Sequence, residues 1–599
     1  MSFGVQKLSS SSNRTSLSAV NMLAPTPRTI KGKCLSEGHA SGPLLYSSVP
    51  LSFWGGVDPA TGIVIDQHHP LAGSSLAGKI LAIPSGRGSC SGSGVLLELL
   101  LNGNAPAGFI FGREELILTL GGIIATEFFD KFVPIVQISP DDFSGLAGHA
   151  HVQIANEIVG VNPTTLSSQT KVNEKPPSVA LNLSELDCAM LRGDHGKAVQ
   201  VAARVVSKVA AVQGATELID ITQAHIDGCI YTGPATLLFA QRLCDWGTKV
   251  RIPASLNSIS VDRQRWREQG IDAVLGDPSG LLADAYVNLG CTPTYTCAPY
   301  QLNTAPKQGE QIMWAESNAV VYANSVLGAR SIKCPDYLDI CVALTGRAPN
   351  SGAHLTEHRR PQVVIDVPSD IVGDDSLFPV LGYLVGEIAA NRIPLVNGLE
   401  HVKVHNDDLK AFGAAFATTS SAPMFHIAGI TPEAVNPALD EWKTATPVVK
   451  TNRAELADIW SRLDKATETE IDLISLGNPH FSYDEMVTLA QLCEGKTKHP
   501  SVSVIMTCNR DAYARACKAG IMPKLEQFGV QPVTDTCWCM IGEPLIAPSV
   551  KTIVTNSAKF AHYGGGLTKR QMRFGSLAGC VEAACVGERP KTLPQWLSS

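Results

Sequence analysis

Chemistry is densest where a strand-like run ending at Ile83 enters Pro-Ser-Gly-Arg-Gly-Ser-Cys-Ser-Gly-Ser-Gly (84–94) and continues into the helix-like VLLELLL. N–H groups at a helix start attract anions, and glycines let a ligand approach the backbone closely. The dinucleotide fingerprint G-x-G-x-x-G is missed, because Ser91 stands where the third glycine belongs after Gly86 and Gly88. The hydroxyls of Ser89, Ser91 and Ser93 suggest instead a turn that binds a carboxylate or transfers a proton. A plain strand-to-helix turn is the alternative.

The chain carries 16 cysteines spread along its length. No framework spacing suggests disulfides, so reduced thiols in an intracellular compartment are expected. Cys291 and Cys297, Cys334 and Cys341, Cys537 and Cys539, and Cys580 and Cys585 are the near neighbours. None forms the C-x₂-C pairs of zinc ribbons or the C-x₂-C-x₂-C run of ferredoxins. A metal here would need ligands from distant segments, and any single thiol reads equally as core. The Cys580–Cys585 spacing does not put both thiols on one helix face.

Polar groups in apolar surroundings form a third set. Ala224-His-Ile-Asp-Gly228 follows the strand-like LIDIT, and strand ends of α/β sheets carry ligand-binding groups. Trp314-Ala-Glu-Ser-Asn318 opens a buried-looking helix, where each unpartnered polar group would cost roughly 1–3 kcal/mol. A network or a ligand must satisfy Glu316, Ser317 and Asn318. Gly477-Asn-Pro-His480 and Thr555-Asn-Ser-Ala-Lys559 read as further turns with acid–base or carboxylate-binding partners. His68, His69, His149 and His151 read as surface residues.

The elements that must position these groups are those of an α/β fold. Residues 1–32 form a basic, serine-rich tail with no acid before Glu37, read as the tail of a cytoplasmic protein, with a mitochondrial matrix presequence as the alternative. Residues 33–160 form a small α/β module: strand-like Lys79–Pro84, Gly108–Phe111 and Val133–Ile138 alternate with helix-like Val95–Leu101 and Leu116–Ala125. Residues 161–178 are polar and proline-bearing, a linker. Residues 179–599 form the larger part. Ser184 caps a helix with Asp187 three residues on, a long helix starts at Lys197, and ELIDIT, KVRIPA and VVIDV read as parallel strands between helices.

Composition narrows the function. A net charge of −7 without a Lys/Arg block argues against nucleic acid as a partner. No window of about 18 apolar residues exists, so no membrane span is expected. The oligomeric state is not legible.

These strings together resemble the aconitase X family in its fused form, small domain ahead of large. The resemblance runs from about Lys33 to Gly587. It is carried by LSFWGGVDPATGIVIDQHHPLAG (51–73), GRGSCSGS (86–93), AHIDG (224–228), PASLN (253–257), TCAPY (296–300), WAESNAVVYANSVLGAR (314–330), LTGRAPNSGAHL (344–355), GNPH (477–480), DTCW (535–538) and CVEAA (580–584). It implies an aconitase-like fold, with a small swivelling α/β lid on a multi-lobed α/β body around iron. It also implies a hydro-lyase acting on a small hydroxy acid or imino acid. Family members dehydrate cis-3-hydroxy-L-proline to Δ1-pyrroline-2-carboxylate, and archaeal relatives dehydrate mevalonate 5-phosphate. The family's iron ligands fall on Cys297, Cys537 and Cys580, and its serine base on Ser89. Many relatives have cysteine where this chain has Asn478, a departure that bears on the nuclearity; a 2Fe–2S cluster is the first expectation, with 4Fe–4S and mononuclear iron as alternatives.

On that resemblance Ser89 takes the Cα proton, and His225, Asp227 and His480 orient groups or move protons. Lys559, with Ser557 and Asn318, holds the carboxylate. Ser91, Ser93, Asn257, Glu316 and Ser317 complete the substrate wall. The other class of reading, an iron-responsive RNA-binding relative, is disfavoured by the acidic charge.

Overall fold

A computed structural model describes residues 28–66, 69–161, 181–435, 442, 446–589 and 593–598. The lid is built on an eight-stranded sheet. Its centre is parallel: His39–Tyr46, Ile80–Ile83, Gly108–Phe111 and Ile135–Gln137 lie side by side. Ile80–Ile83 and Gly108–Phe111 are buried throughout, as parallel strands covered on both faces must be. Antiparallel strands flank them. One edge strand, Arg28–Lys31, pairs with Ile158–Val161, so these residues belong to the lid sheet and not to a tail. The tail proper, the linker and His68 lie outside the described residues.

Three further parallel sheets follow. The first lobe holds Ala254–Leu256, Ala224–Ile226 and Met313–Trp314. The second holds four strands around Val363–Asp366 and Pro394–Asn397, and the third holds five around Leu473–Phe481 and Ser503–Cys508. Three strand expectations shift. KVRIPA is irregular, and the strand begins at its final residue, Ala254. Leu218–Asp220 pairs antiparallel with Arg347–Pro349, and AHI is itself the parallel strand that carries His225. GNPH is the end of the buried strand Leu473–Phe481, not a turn. Here Gly477 (φ 96°) is required: a Cβ would sit 2.2 Å from the Thr507 carbonyl oxygen of the neighbouring strand.

Local rules hold where they were clearest. Ser184 and Asp187 form a reciprocal capping box, and Asp187 also accepts Arg347 Nε at 2.9 Å, tying the helix start to that antiparallel strand pair. Lid and first lobe share one apolar core. Leu96, Leu99, Ile123 and Phe128 of the lid helices Gly92–Asn102 and Ile117–Phe129 pack with Val201, Val205, Phe239 and Leu243. Phe128 and Phe239 rings lie 4.6 Å apart, and Glu98 accepts the Ala235 N–H at 2.8 Å. His69 also departs from expectation. It is buried, its Nε2 3.1 Å from the Val49 carbonyl, and it holds the lid loop rather than facing solvent.

Candidate functional site

All four units meet at one cleft. The lid supplies Trp54, Gly88, Ser89 and Ser91; the first lobe Ile230, Asn257, Ser258, Glu316, Ser317 and Asn318. The second lobe contributes Ala414, Ala417 and Thr418 from the helix Asn406–Thr419. The third contributes Cys537, Cys539, Met540, Lys559 and Tyr563.

The serine turn delivers two of its three hydroxyls. Ser89 Oγ accepts the Ser91 N–H at 3.3 Å and lies 3.2 Å from Ser91 Oγ, so a backbone dipole faces any charge developing there. Ser91 Oγ donates on to Asp227 Oδ2 at 3.4 Å. Gly88 adopts φ 81°, and a Cβ there would meet Ser52 Oγ at 2.7 Å. Ser93 does not reach the cleft. Its hydroxyl, inside the first helical turn, donates to the Cys90 carbonyl at 2.9 Å, so its expected substrate contact is corrected.

Opposite stands the pair Lys559–Glu316, Nζ to Oε1 3.0 Å. Ser557 caps the helix Ala558–Thr568 and donates to the Asn478 carbonyl; it aims Lys559 but does not line the cleft. Burial works to raise the Glu316 carboxyl, but Lys559 and the Asn318 amide outweigh it and hold it below the usual range. Burial likewise opposes the Lys559 charge, and Glu316 overcomes it. Asn318 knits the wall together: its amide donates to Glu316 and, at 3.1 Å, to the Cys297 carbonyl, and it accepts Tyr300 at 3.0 Å. Asn257 donates to Asp227.

The expected histidines lie behind this wall. His225 packs on Trp314 with ring centroids 5.9 Å apart, its Nδ1 2.7 Å from Ser255 Oγ; burial pushes it down to about 4, so it is neutral. His480 is also neutral, lowered to about 4 by burial. Its ring Nε2 meets the Thr536 carbonyl at 2.7 Å, and its backbone N–H donates to Cys297 Sγ at 3.3 Å. Neither lines the cleft.

Two of the three expected thiols come together. Cys297 and Cys537 interact directly, and Cys537 also interacts with Cys539. Asn478 Nδ2 donates to Cys539 Sγ at 3.6 Å. Cys580 is elsewhere: the helix Leu577–Val586 buries it in the apolar core of the third lobe with Ile474, Leu476 and Val504. Among the described residues Asp375 is the one charged group acting on its thiol. Cys539, and not Cys580, stands with Cys297 and Cys537 in this structure. The C-W-C string was the available signal: Cys537 caps the 3₁₀ turn Trp538–Met540 and its Sγ accepts the Cys539 N–H at 3.4 Å, which keeps the two cysteines together.

Soft thiolate donors suit iron and iron–sulfur clusters, and Cys537 and Cys539 line the cleft. The donor set fits such a group in type and place. Among the described residues no three His, Cys, Asp or Glu side chains are already converged on one point; the thiols engage each other. No helix is long and apolar enough to cross a membrane among the described residues.

Behind the serine turn Asp227 is joined by two carboxyls the sequence reading missed, Asp336 and Asp339. All three are buried. Asp339 Oδ2 accepts the Asp227 N–H at 2.7 Å, and its Oδ1 accepts the Ile340 N–H at 2.7 Å. Burial raises all three carboxyls: Asp339 to about 6, Asp227 to about 7, and Asp336 well above its usual range, with mutual repulsion adding to the last two.

Comparison with known proteins agrees with this geometry. The aconitase X swivel domain model matches residues 29–161, and the first, second and third domain models match 180–357, 361–461 and 471–586. The chain is 51% identical over 597 residues to the cis-3-hydroxy-L-proline dehydratase of Hypocrea jecorina, and 50% over 582 residues to that of Pseudomonas aeruginosa. Each match covers 96% of this chain and 98% of the relative. A phosphomevalonate dehydratase large subunit of Methanothermobacter thermautotrophicus is 31% identical over 63% of this chain and 92% of its own length. The crystal structure of Thermococcus kodakaraensis aconitase X in its holo-form superposes with a TM-score of 0.61 at 28% identity, covering 67% of this chain and all of that one. With four consecutive domain models meeting at the one cleft that the serine turn, the ion pair and the thiols share, the chain belongs to the aconitase X family.

Proposed function

We propose that this protein is a hydro-lyase that removes water from cis-3-hydroxy-L-proline to give Δ1-pyrroline-2-carboxylate. The observation that carries the reading is one cleft lined by a hydroxyl on a helix start (Ser89), an ion pair (Lys559–Glu316) and thiols (Cys537, Cys539). The substrate is a zwitterion: the Lys559 ammonium suits its carboxylate, and the Glu316 carboxylate suits its ring NH₂⁺. Asn318 fixes Glu316, so both charges are oriented before substrate arrives. Trp54, Ala414 and Ala417 give the ring an apolar wall.

Ser89 takes the proton from Cα, and the Ser91 N–H stabilises its oxygen. One positioned base supplies about 10²–10⁴-fold, well short of a typical enzymatic acceleration. Cys297, Cys537 and Cys539 would hold iron, as a 2Fe–2S cluster in our reading. That group supplies Lewis acidity toward the departing 3-hydroxyl, worth several kcal/mol. The enamine product leaves the cleft and tautomerises to the cyclic imine.

The cleft lining also bears on the family's other substrate. Among the described residues that line it, Lys559 is the one cation, already matched by Glu316, and Arg87 is exposed and paired with Asp66 at 3.0 Å. Lys333, which acts on Glu316 and Lys559 from behind, does not line the cleft and donates to the Ser420 carbonyl at 3.2 Å. The test is the full chain purified anaerobically, its iron and sulfide counted, and assayed with both substrates. Turnover of cis-3-hydroxy-L-proline is expected; turnover of mevalonate 5-phosphate alone would overturn the reading.

A further inference from the structure

The serine turn does not end at the cleft. From Ser89 a row of hydrogen bonds runs inward through Ser91 to Asp227, and Asp336 lies against both Ser91 and Asp227. The three buried aspartates are not equivalent. Asp339 accepts N–H groups from Asp227, Gly228 and Ile340 and holds the strand end in place. Asp336 makes no such return. Its Oδ1 is fully buried with no hydrogen-bonding partner, and among the described residues none of the three forms an ion pair with lysine or arginine. The groups facing Asp336 are the other two carboxyls, the thiols of Cys90, Cys229 and Cys334, and the Tyr337 phenol. Glu316 acts on Asp227 from the cleft side. An acceptor oxygen without a donor, at the inner end of a row of hydroxyls, is placed to take a proton.

We propose that Asp336 is a positioning residue for the dehydration, sharing one proton with Asp227 and storing the second that arrives through Ser91 when Ser89 acts as base. This rests on the reading of Ser89 given above. The step balances. The Cα–H bond breaks and its electron pair stays on the substrate; the proton bonds to Ser89 Oγ. The hydroxyl proton of Ser89 passes to Ser91, and that of Ser91 to the carboxylate of the pair. The electron pair on Cα expels the 3-hydroxyl, and the stored proton returns outward along the row after the product leaves. Two carboxyls in contact share a proton because both cannot ionise side by side.

The experiment compares Asp336→Asn, Asp336→Glu and Ser89→Ala in the iron-loaded full chain, with kcat and KM for cis-3-hydroxy-L-proline measured from pH 5 to 9. In the parent, kcat falls below about pH 7 as the pair fills with protons. Asp336→Asn is expected to lower kcat about 10²-fold, leave KM within about twofold, and flatten that acid limb; Asp336→Glu restores part of both. An unchanged kcat and acid limb in Asp336→Asn overturns the proposal, as does a loss confined to KM. If Asp336→Asn does not fold, Ser91→Ala cuts the same row from the lid and is expected to flatten the limb; a retained limb there also overturns it. Ser89→Ala separates the two readings. Turnover surviving in that variant removes the base assignment and this proposal together. Turnover abolished there, with parent-like Asp336→Asn, removes only the proton store.

Discussion

Two buried clusters flank the serine turn, one of thiols and one of carboxyls, and they are assembled differently. The carboxyls of the nest all come from one lobe: Asp227 and Asp339 are joined through backbone N–H groups, and the lid touches the nest through Ser91 and through the Cys90 carbonyl, which accepts the Asp336 N–H at 3.5 Å. The thiol row is made between lobes, with Cys297 from the first and Cys537 and Cys539 from the third. Its seam is held by the His480 N–H on Cys297 and by Asn318 on the Cys297 carbonyl. The proton-handling side is thus rigid by local construction. The metal-binding side depends on how two lobes sit against each other.

The largest expected break is Cys537→Ser, which removes the middle of the thiol row. It should lose iron, measured by metal analysis and visible absorbance, and lower turnover at least about 10³-fold; full iron retention would dissolve the thiol side of the comparison. Next, Cys539→Ser should lose iron while Cys580→Ser keeps it, and the reverse pattern would return Cys580 to the ligand set. Glu316→Gln leaves the buried Lys559 unpaired between the two clusters. It should cost roughly 3–5 kcal/mol in denaturant unfolding and raise KM.

The smallest effect concerns stability against pH. An aspartate held at about 6 in the folded chain, against 3.8 in model compounds, binds its proton more tightly folded than unfolded. That contribution is whole below pH 3.8 and is lost as pH rises through 6. Asp227 extends the loss to about pH 7. Asp336→Asn should therefore raise the melting temperature by a few degrees at pH 8 and leave it nearly unchanged at pH 4. Equal shifts at both pH values would show that the nest is not strained by its charge.

How far the sequence anticipates this depends on the range of the interaction. The serine turn, the Ser184 cap and the helix from Lys197 follow from neighbours in the chain, where periodicity and capping rules act. The ion pair joins residues 243 positions apart, yet each end was visible as a polar group in an apolar run. Ser93 was misread because three serines in a row look alike until the helix begins and turns one inward. The core position of Cys580 was not legible, because a buried cysteine in a small-residue helix packs as well as it ligates. Asp336 and Asp339 sit in the unremarkable string CPDYLD, and only the fold sets them beneath Ser91.

The common core of lid and first lobe has one more consequence. Phe128 on Phe239, Glu127 with Arg204 and Lys208, and Glu98 capping at Ala235 together form an interface that needs no peptide bond to hold it. A chain severed between residues 162 and 180 should run as one particle, and the two fragments expressed separately should reconstitute it. Covalent fusion then acts as a guarantee of stoichiometry: each body is made with its own lid.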